Sequence, residues 1–228
     1  MTNSNYKPSY IDTLKSCFSP VFNDAVEKGL LNRNIIKSLD FPDYDSNKYF
    51  SLSDDKAKAL VNEIMNIADN QYRVMFMFLL RGRRAGEVLS LKWQNLNFEK
   101  KTYMIEDSQS KIRKTLIFSL DDELIEHLKF LENKDDGLVF ISPKTGKAFY
   151  SFPVRLWKKI KENANITNMK LHDFRHLLGF TLVNNNVPLE AISRALGHSK
   201  ITTTQRYSNQ KEEMAKGAVD VFLGIVKK

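Results

Sequence analysis

The stretch Leu-Gly-His-Ser-Lys-Ile-Thr-Thr-Thr-Gln-Arg-Tyr, residues 196–207, decides the fold that we expect for this chain of 228 residues. It begins where a predicted helix over 188–196 ends, and Gly197 is the residue type that most often terminates a helix. It then places His198 nine positions before Tyr207. A tyrosine by itself is more often a half-buried side chain than a nucleophile. Whether Tyr207 is a nucleophile must therefore be inferred from the other segments of the sequence.

Three further segments carry basic or imidazole side chains at predicted element boundaries: RGRRAGE (81–87), SKIRK (110–114) and LHDFRH (171–176). Each also has an ordinary explanation. The arginines of the first segment are compatible with a basic surface cluster, and His172 with a plain helix start. Thr202, Thr203 and Thr204 fit either phosphate contacts or a polar loop. Two histidines at i, i+4, with no third ligand, are poor evidence for zinc.

Together the four segments resemble the tyrosine recombinase, or phage integrase, family. The pattern there is a G-x-R-x-x-E box, a lysine on a β-hairpin, H-x-x-R, and L-G-H followed by a tyrosine nine positions after that histidine. The six matching residues follow the family's order: Arg84, Lys111, His172, Arg175, His198 and Tyr207. The resemblance spans about residues 50–210. Ser119 stands where the family usually has proline, and Arg113 and Lys114 are rivals of Lys111.

The resemblance implies that Tyr207 attacks a DNA phosphodiester and becomes a 3′-phosphotyrosine. Attack adds negative charge to the non-bridging oxygens, which Arg84 and Arg175 can clamp with charge-assisted hydrogen bonds. Lys111 has a transferable proton and suits the general acid that protonates the departing 5′ oxygen. Religation then needs no nucleotide, because the bond energy is kept in the phosphotyrosine.

The histidines are expected to assist this reaction. His172 assists proton transfer at the tyrosine or holds the phosphate, and His198 donates a further hydrogen bond to it. His176 is expected to support them, and Glu87 to orient the first arginine box. Because side chains supply the positive charge, we expect no metal and no other cofactor. The sequence also lacks a P-loop and the clustered carboxylates of a two-metal site.

The expected function is therefore a site-specific recombinase or integrase that acts on double-stranded DNA. In the family, four protomers usually work on two DNA sites, and each C-terminal helix docks on a neighbour. The apolar residues of the predicted helix over 211–226 fit such docking or packing on their own core: Ala218, Val219, Val221, Phe222 and Ile225. Two alternatives remain, a type IB topoisomerase-like nicking-closing enzyme and a catalytically silent DNA-binding regulator.

Composition is compatible with this function without requiring it. The net charge of +8 favours a polyanionic partner, although a soluble protein of any function can carry such a charge. A single cysteine, Cys17, excludes an intrachain disulfide, so the cytoplasm is the default compartment. The most apolar run, 74–80, is too short to cross a membrane, and no signal peptide is evident.

Periodicity predicts a chain that is mainly α with a small antiparallel β-sheet, the tyrosine recombinase catalytic-domain fold. Residues 1–47 are expected to be a partial helical core-binding segment and linker, with two short helices between 8 and 38. Residues 48–228 are expected to be the catalytic domain. The first predicted helix there begins at Ser51 or Ser53. Further helices are predicted over about 71–80, 85–90, 121–132, 151–164, 173–185, 188–196 and 211–226. The predicted strands are 95–98, 102–105, 115–118 and a short one over 138–141, with a turn over 107–114.

Overall fold

The computed structural model describes residues 8–39, 50–106, 115–131, 137–198 and 200–205. The chain divides into two compact units, Met1–Lys48 and Tyr49–Lys228. The predicted turn with Lys111, the nucleophile candidate Tyr207 and the predicted helix over 211–226 lie outside the described residues.

The first unit contains one long helix, α1 (Pro8–Glu27), followed by a 3₁₀ turn at Ile35–Ser38. The prediction of two short helices is wrong, because α1 continues through Pro20. A proline removes only its own N–H from the helix, and the apolar residues before and after it stay in helical register. Gly29 has a positive φ of 70° just after the helix, as expected for a terminating glycine.

The first unit has no core of its own among the residues that can be assessed. No side chain between 10 and 39 is buried, and Phe18, Val21 and Leu30 are at least half exposed. A single helix and a short turn cannot enclose apolar side chains on all sides.

The second unit is mainly helical, with one small sheet, as predicted. Its helices are α2 (Asp54–Met65), α3 (Asn70–Leu80), α4 (Ala85–Leu89), α5 (Asp122–Lys129), α6 (Val154–Asn163), α7 (Asp173–Asn184), α8 (Leu189–Leu196) and α9 (Thr202–Gln205). Its strands are β1 (Leu96–Asn97), β2 (Thr102–Ile105) and β3 (Leu116–Ser119). No helix in the described part of the chain is both long enough and apolar enough to cross a membrane.

Helix α3 forms the centre of the core, as its nearly continuous apolar sequence predicts. All six residues from Val74 to Leu79 are buried. The Phe76 ring lies 5.1 Å from that of Phe152, 6.0 Å from Trp157 and 6.4 Å from Phe174, so α3 packs against α6 and α7. Phe78, on another side of the helix, lies edge-on to Tyr103 of β2. Because α3 is held on several sides, the turn that follows it has a fixed position.

The sheet has three antiparallel strands in the order β1-β2-β3, which confirms the predicted small antiparallel sheet. Tyr103 of β2 pairs with Leu96 of β1 and with Phe118 of β3. Tyr103 is buried between Phe78 and Phe118, so the inner face of the sheet joins the α3 core.

The predicted strand over 138–141 is wrong. Leu138 forms an isolated bridge with Lys92, and Ile141 forms another with Ala148. The two ends of the segment thus pair with different parts of the chain, so no continuous ladder forms. The apolar pattern arose because Val139 and Phe140 are buried, which periodicity alone does not distinguish from a strand.

We predict that Phe76→Ala lowers the free energy of unfolding of the second unit by about 3–5 kcal/mol, because it leaves a cavity among three aromatic rings. Urea unfolding followed by tryptophan fluorescence measures this, since Trp93 and Trp157 both lie in that unit. The matched control is Phe130→Ala, because Phe130 is 72% exposed. Equal losses for the two variants would contradict the central position of α3.

Candidate active site

The turn between α3 and α4, residues 81–84, lies against two helices that are distant in sequence. Gly82 has a φ of 77°, and a Cβ atom there would lie 2.9 Å from Leu196 and 3.0 Å from Leu178. Glycine is therefore required both by the backbone conformation and by the close approach of α7 and α8. This approach brings the arginine box next to α7, which carries the H-x-x-R arginine, and α8, which leads into the L-G-H segment.

The three arginines of this turn have different environments and do not form one basic surface cluster. Arg81 pairs with Asp121, at 2.6 Å from Nη2 to Oδ1, and with Glu123 at 3.1 Å. The hydrogen bond from Arg81 lowers the pKa of the Asp121 carboxyl. The charge of Arg81 is therefore already compensated by acids at the start of α5.

Arg83 is buried, with 2% of its surface exposed. Its guanidinium lies over the Phe118 ring, 3.4 Å from the ring centre, and donates to the carbonyls of Arg81 and Ala195. Burial lowers the pKa of this guanidinium. Arg83 thus connects the arginine box to the end of α8 and to β3, a connection that the sequence did not predict.

Arg84 forms a close ion pair with Glu87. Its Nη1 donates to Glu87 Oε1 at 2.6 Å, and its backbone N–H donates to Oε2 at 2.9 Å. The Glu87 side chain is 2% exposed, whereas that of Arg84 is 18% exposed. The carboxylate therefore holds the arginine from the protein side while part of the guanidinium remains accessible, which is the orienting arrangement expected for Glu87.

Arg175 connects the H-x-x-R segment to the same turn. It lies in α7 and is 2% exposed, and its Nη1 donates to the carbonyl oxygen of Gly82 at 3.0 Å. His172 is the residue before α7, and its ring meets that of His176 edge-to-face at 5.0 Å. In the described part of the chain no group of three His, Cys, Asp or Glu residues is arranged to hold a metal ion.

The L-G-H segment begins where α8 ends. Gly197 has a φ of 64°, and a Cβ atom there would lie 2.8 Å from Phe118 and 2.9 Å from Leu116 of β3. This confirms that Gly197 ends the helix. It also shows that the packing of β3 leaves no room for a larger side chain at this position. The next residue, His198, is held through Nδ1, which lies 2.7 Å from Oγ1 of Thr204.

Residues 202–205 form the short helix α9, so the interpretation of this segment as a polar loop is wrong. Thr204 is completely buried, whereas Thr202 and Thr203 are exposed. Periodicity cannot detect a helix of four residues, and a hydroxyl side chain gives no sign in the sequence that it will be buried.

Four of the six predicted site residues lie within the described residues: Arg84, His172, Arg175 and His198. Direct contacts join the segments that carry Arg84, Arg175 and His198. Arg175 of α7 donates to Gly82 in the turn, and Arg83 in the turn donates to Ala195 of α8. Lys111 and Tyr207 lie outside the described residues, so their positions stay predictions. The buried positions of Arg83 and Thr204 were not predicted, since both residues stand among other polar residues.

Comparison with known proteins gives one consistent family. A sequence profile of the phage integrase family matches residues 51–214. Tyrosine recombinase XerA of Pyrococcus horikoshii is 25% identical over 222 residues, covering 92% of this chain and 71% of the relative. Tyrosine recombinase XerC-like of Caldanaerobacter subterraneus is 26% identical and covers 85% and 60%. Tyrosine recombinase XerD of Staphylococcus aureus is 28% identical and covers 81% and 66%. The chain therefore spans about 60 to 71% of the length of these relatives.

Solved structures share the fold at low sequence identity. The Tn1549 transposon integrase, in complex with a circular intermediate DNA, has a TM-score of 0.71 at 16% identity, covering 96% of this chain and 80% of that one. The crystal structure of XerA recombinase has a TM-score of 0.61 at 19% identity, covering 97% and 85%. At these identities the likeness establishes the fold, and it confirms the predicted tyrosine recombinase catalytic-domain fold.

We predict that Glu87→Gln lowers the free energy of unfolding by about 1–3 kcal/mol, because it removes the charge that compensates Arg84 in a buried environment. Chemical unfolding of the purified chain measures the change. Glu126→Gln is the control: Glu126 is exposed on α5, and the same substitution there should change stability by less than about 0.5 kcal/mol. A Glu87 variant as stable as the control would mean that the ion pair does not hold Arg84.

Proposed function

The chain belongs to the phage integrase family, and we propose that it is a site-specific DNA recombinase that cleaves and rejoins strands through a covalent bond to Tyr207. The observation that carries the proposal is the contact of Arg175 with Gly82, which brings the H-x-x-R helix to the turn that holds Arg84. Two guanidiniums from distant parts of the chain thereby lie in one region of the second unit.

The proposed role of Arg84 and Arg175 is to stabilise the transition state. Attack on a phosphodiester adds negative charge to the non-bridging oxygens, and guanidiniums aimed at them from fixed positions stabilise that charge strongly. Glu87 supports this role for Arg84, because its carboxylate fixes one nitrogen of the guanidinium and leaves the group partly accessible. His198 supplies a further hydrogen bond to the phosphate.

Arg175 imposes a condition on this proposal. With 2% of its surface exposed, its guanidinium is covered in the conformation observed. A phosphate can contact Arg175 only if part of the surrounding chain moves when DNA binds. We therefore propose that DNA binding uncovers Arg175 and completes the clamp with Arg84.

Proton transfer is assigned to Lys111 and His172. Lys111 protonates the 5′ oxygen as it departs, and His172 assists at the tyrosine or holds the phosphate. His172 stands at the start of the helix that carries Arg175, which places it three residues from the proposed clamp in sequence. No metal enters this scheme, because every charge needed is supplied by side chains.

Double-stranded DNA is the proposed substrate, and phosphate contacts would dominate its affinity. The net charge of +8 supports a polyanionic partner, and the similar Tn1549 integrase is described in complex with DNA. We further propose that four protomers assemble on two DNA sites in the cytoplasm. Residues 1–47 would form part of the core-binding segment and linker, and 48–228 the catalytic domain.

The recombinase is favoured over both alternatives. The relatives named above are recombinases and integrases, which speaks against a topoisomerase-like nicking-closing enzyme. A catalytically silent regulator has no need for an arginine held by a buried carboxylate, or for all six residues of the family's set.

We predict that Tyr207→Phe abolishes covalent attachment to a nicked suicide DNA substrate, because the nucleophilic oxygen is gone, while DNA affinity stays within about twofold. Denaturing gels measure the adduct and a mobility shift measures binding. The control is Tyr150→Phe, an exposed tyrosine in the same unit, which should form the adduct normally. If the Tyr207 variant still traps DNA covalently, another residue is the nucleophile.

We predict that Lys111→Ala slows cleavage of ordinary DNA at least about 100-fold, as expected for loss of a general acid. A substrate with sulfur at the bridging 5′ position should restore the rate, because a thiolate leaves without protonation. Single-turnover cleavage of both substrates measures this, with Arg113→Ala and Lys114→Ala as neighbouring controls. If the Lys111 variant cleaves at the normal rate and one of the two control variants is slow, the general acid is the residue replaced in that control.

A further inference from the structure

The contact between Thr204 and His198 has a consequence for the chemistry of the histidine. Thr204 is completely buried, and its Oγ1 lies 2.7 Å from His198 Nδ1. Within the described part of the chain, this is the hydroxyl's single hydrogen bond. Thr204 has no exposed surface, and His198 is half-buried.

The direction of this hydrogen bond follows from the hydroxyl. A buried hydroxyl that donates no hydrogen bond costs the protein about 1–3 kcal/mol of stability. For the Thr204 hydroxyl, Nδ1 of His198 is the one acceptor among the described atoms. Thr204 therefore donates, and His198 Nδ1 accepts with its lone pair. A neutral imidazole has only one N–H, so the proton of His198 must be on Nε2.

We propose that Thr204 is a positioning residue that fixes the tautomer and the orientation of His198, so that Nε2–H is the group offered to the scissile phosphate. The role rests on the proposed function, because it is the phosphate that receives this hydrogen bond. With the tautomer fixed in this way, His198 is a donor while neutral and needs no additional proton to bind an anion.

The position of Thr204 in the chain adds a second effect. It lies in α9, three residues before Tyr207, whereas His198 directly follows the turn that ends α8. The hydrogen bond therefore ties the histidine to the short helix that leads to the proposed nucleophile. Loss of the hydroxyl should release the ring without altering α8, since the close approach of Gly197 to Leu116 and Phe118 does not involve Thr204.

The tautomer can be measured on the unaltered full-length chain by long-range ¹⁵N–¹H NMR of the histidine rings. The chain has four histidines, and the signals lost in His198→Asn identify those of His198. We expect Nδ1 to be unprotonated and Nε2 to carry the proton. Thr204→Val, which keeps the shape of the side chain, should give a mixture of tautomers. A proton on Nδ1 in the unaltered chain, or an unchanged spectrum in the valine variant, overturns the proposal.

The effect on catalysis is measured by single-turnover cleavage of DNA. Thr204→Val should be slower by about tenfold, the loss expected when one hydrogen bond in the transition state is misplaced. Thr204→Ser keeps the hydroxyl and should restore the rate to within about twofold. Thr181→Val is the matched control, because Thr181 is exposed on α7. Equal rates for the valine and serine variants overturn the positioning role.

The two parts of the experiment separate this proposal from the proposed function. If the unaltered chain forms no covalent adduct with DNA, the recombinase function falls, and the NMR spectra still decide whether Thr204 selects the tautomer. If the unaltered chain cleaves DNA and Thr204→Val cleaves equally fast, the recombinase function stands and the role of Thr204 is wrong.

Discussion

The proposed site depends on the position of the turn at residues 81–84, because hydrogen bonds of two buried guanidiniums connect this turn to α7 and α8. Arg175 donates to the carbonyl of Gly82, and Arg83 donates to the carbonyl of Ala195. A buried guanidinium is costly unless it is hydrogen-bonded, so each pairing strongly disfavours other positions of the helices. The turn itself is fixed because α3 is held within the core.

This arrangement explains how residues far apart in sequence reach one region. Hydrogen bonds join the turn to α7 across 93 residues of sequence and to α8 across 112 residues. Two glycines of the region, Gly82 and Gly197, allow side chains of neighbouring elements to come closer than a Cβ would permit. The glycines thus let the elements pack closely, and the buried arginines fix α7 and α8 relative to the turn. Part of the Arg84 side chain stays exposed.

Much of the fold was predictable, because the signals that determine it are local. The apolar run over 74–80 identified the central helix, and Gly197 marked a helix end correctly. Of the two serines predicted as alternative starts of α2, Ser53 is the one found before the helix. Order and spacing predicted six site residues, and the four that the structure describes lie in three segments joined by contacts. Their roles stay predictions. The continuous helix through Pro20 and the absence of a strand over 138–141 were not predictable, since both depend on what the segment packs against. Arg83 and Thr204 gave no signal, because burial of a polar residue depends on tertiary contacts.

The central claim is that Arg84, Arg175 and His198 act on one phosphate. A crystal structure of this chain bound to a DNA duplex that it cleaves tests the claim most directly. We predict a single phosphate whose non-bridging oxygens lie about 3 Å from nitrogens of all three side chains, with Arg175 no longer covered. A structure in which DNA leaves Arg175 covered, or in which the three side chains contact different phosphates, would contradict the account.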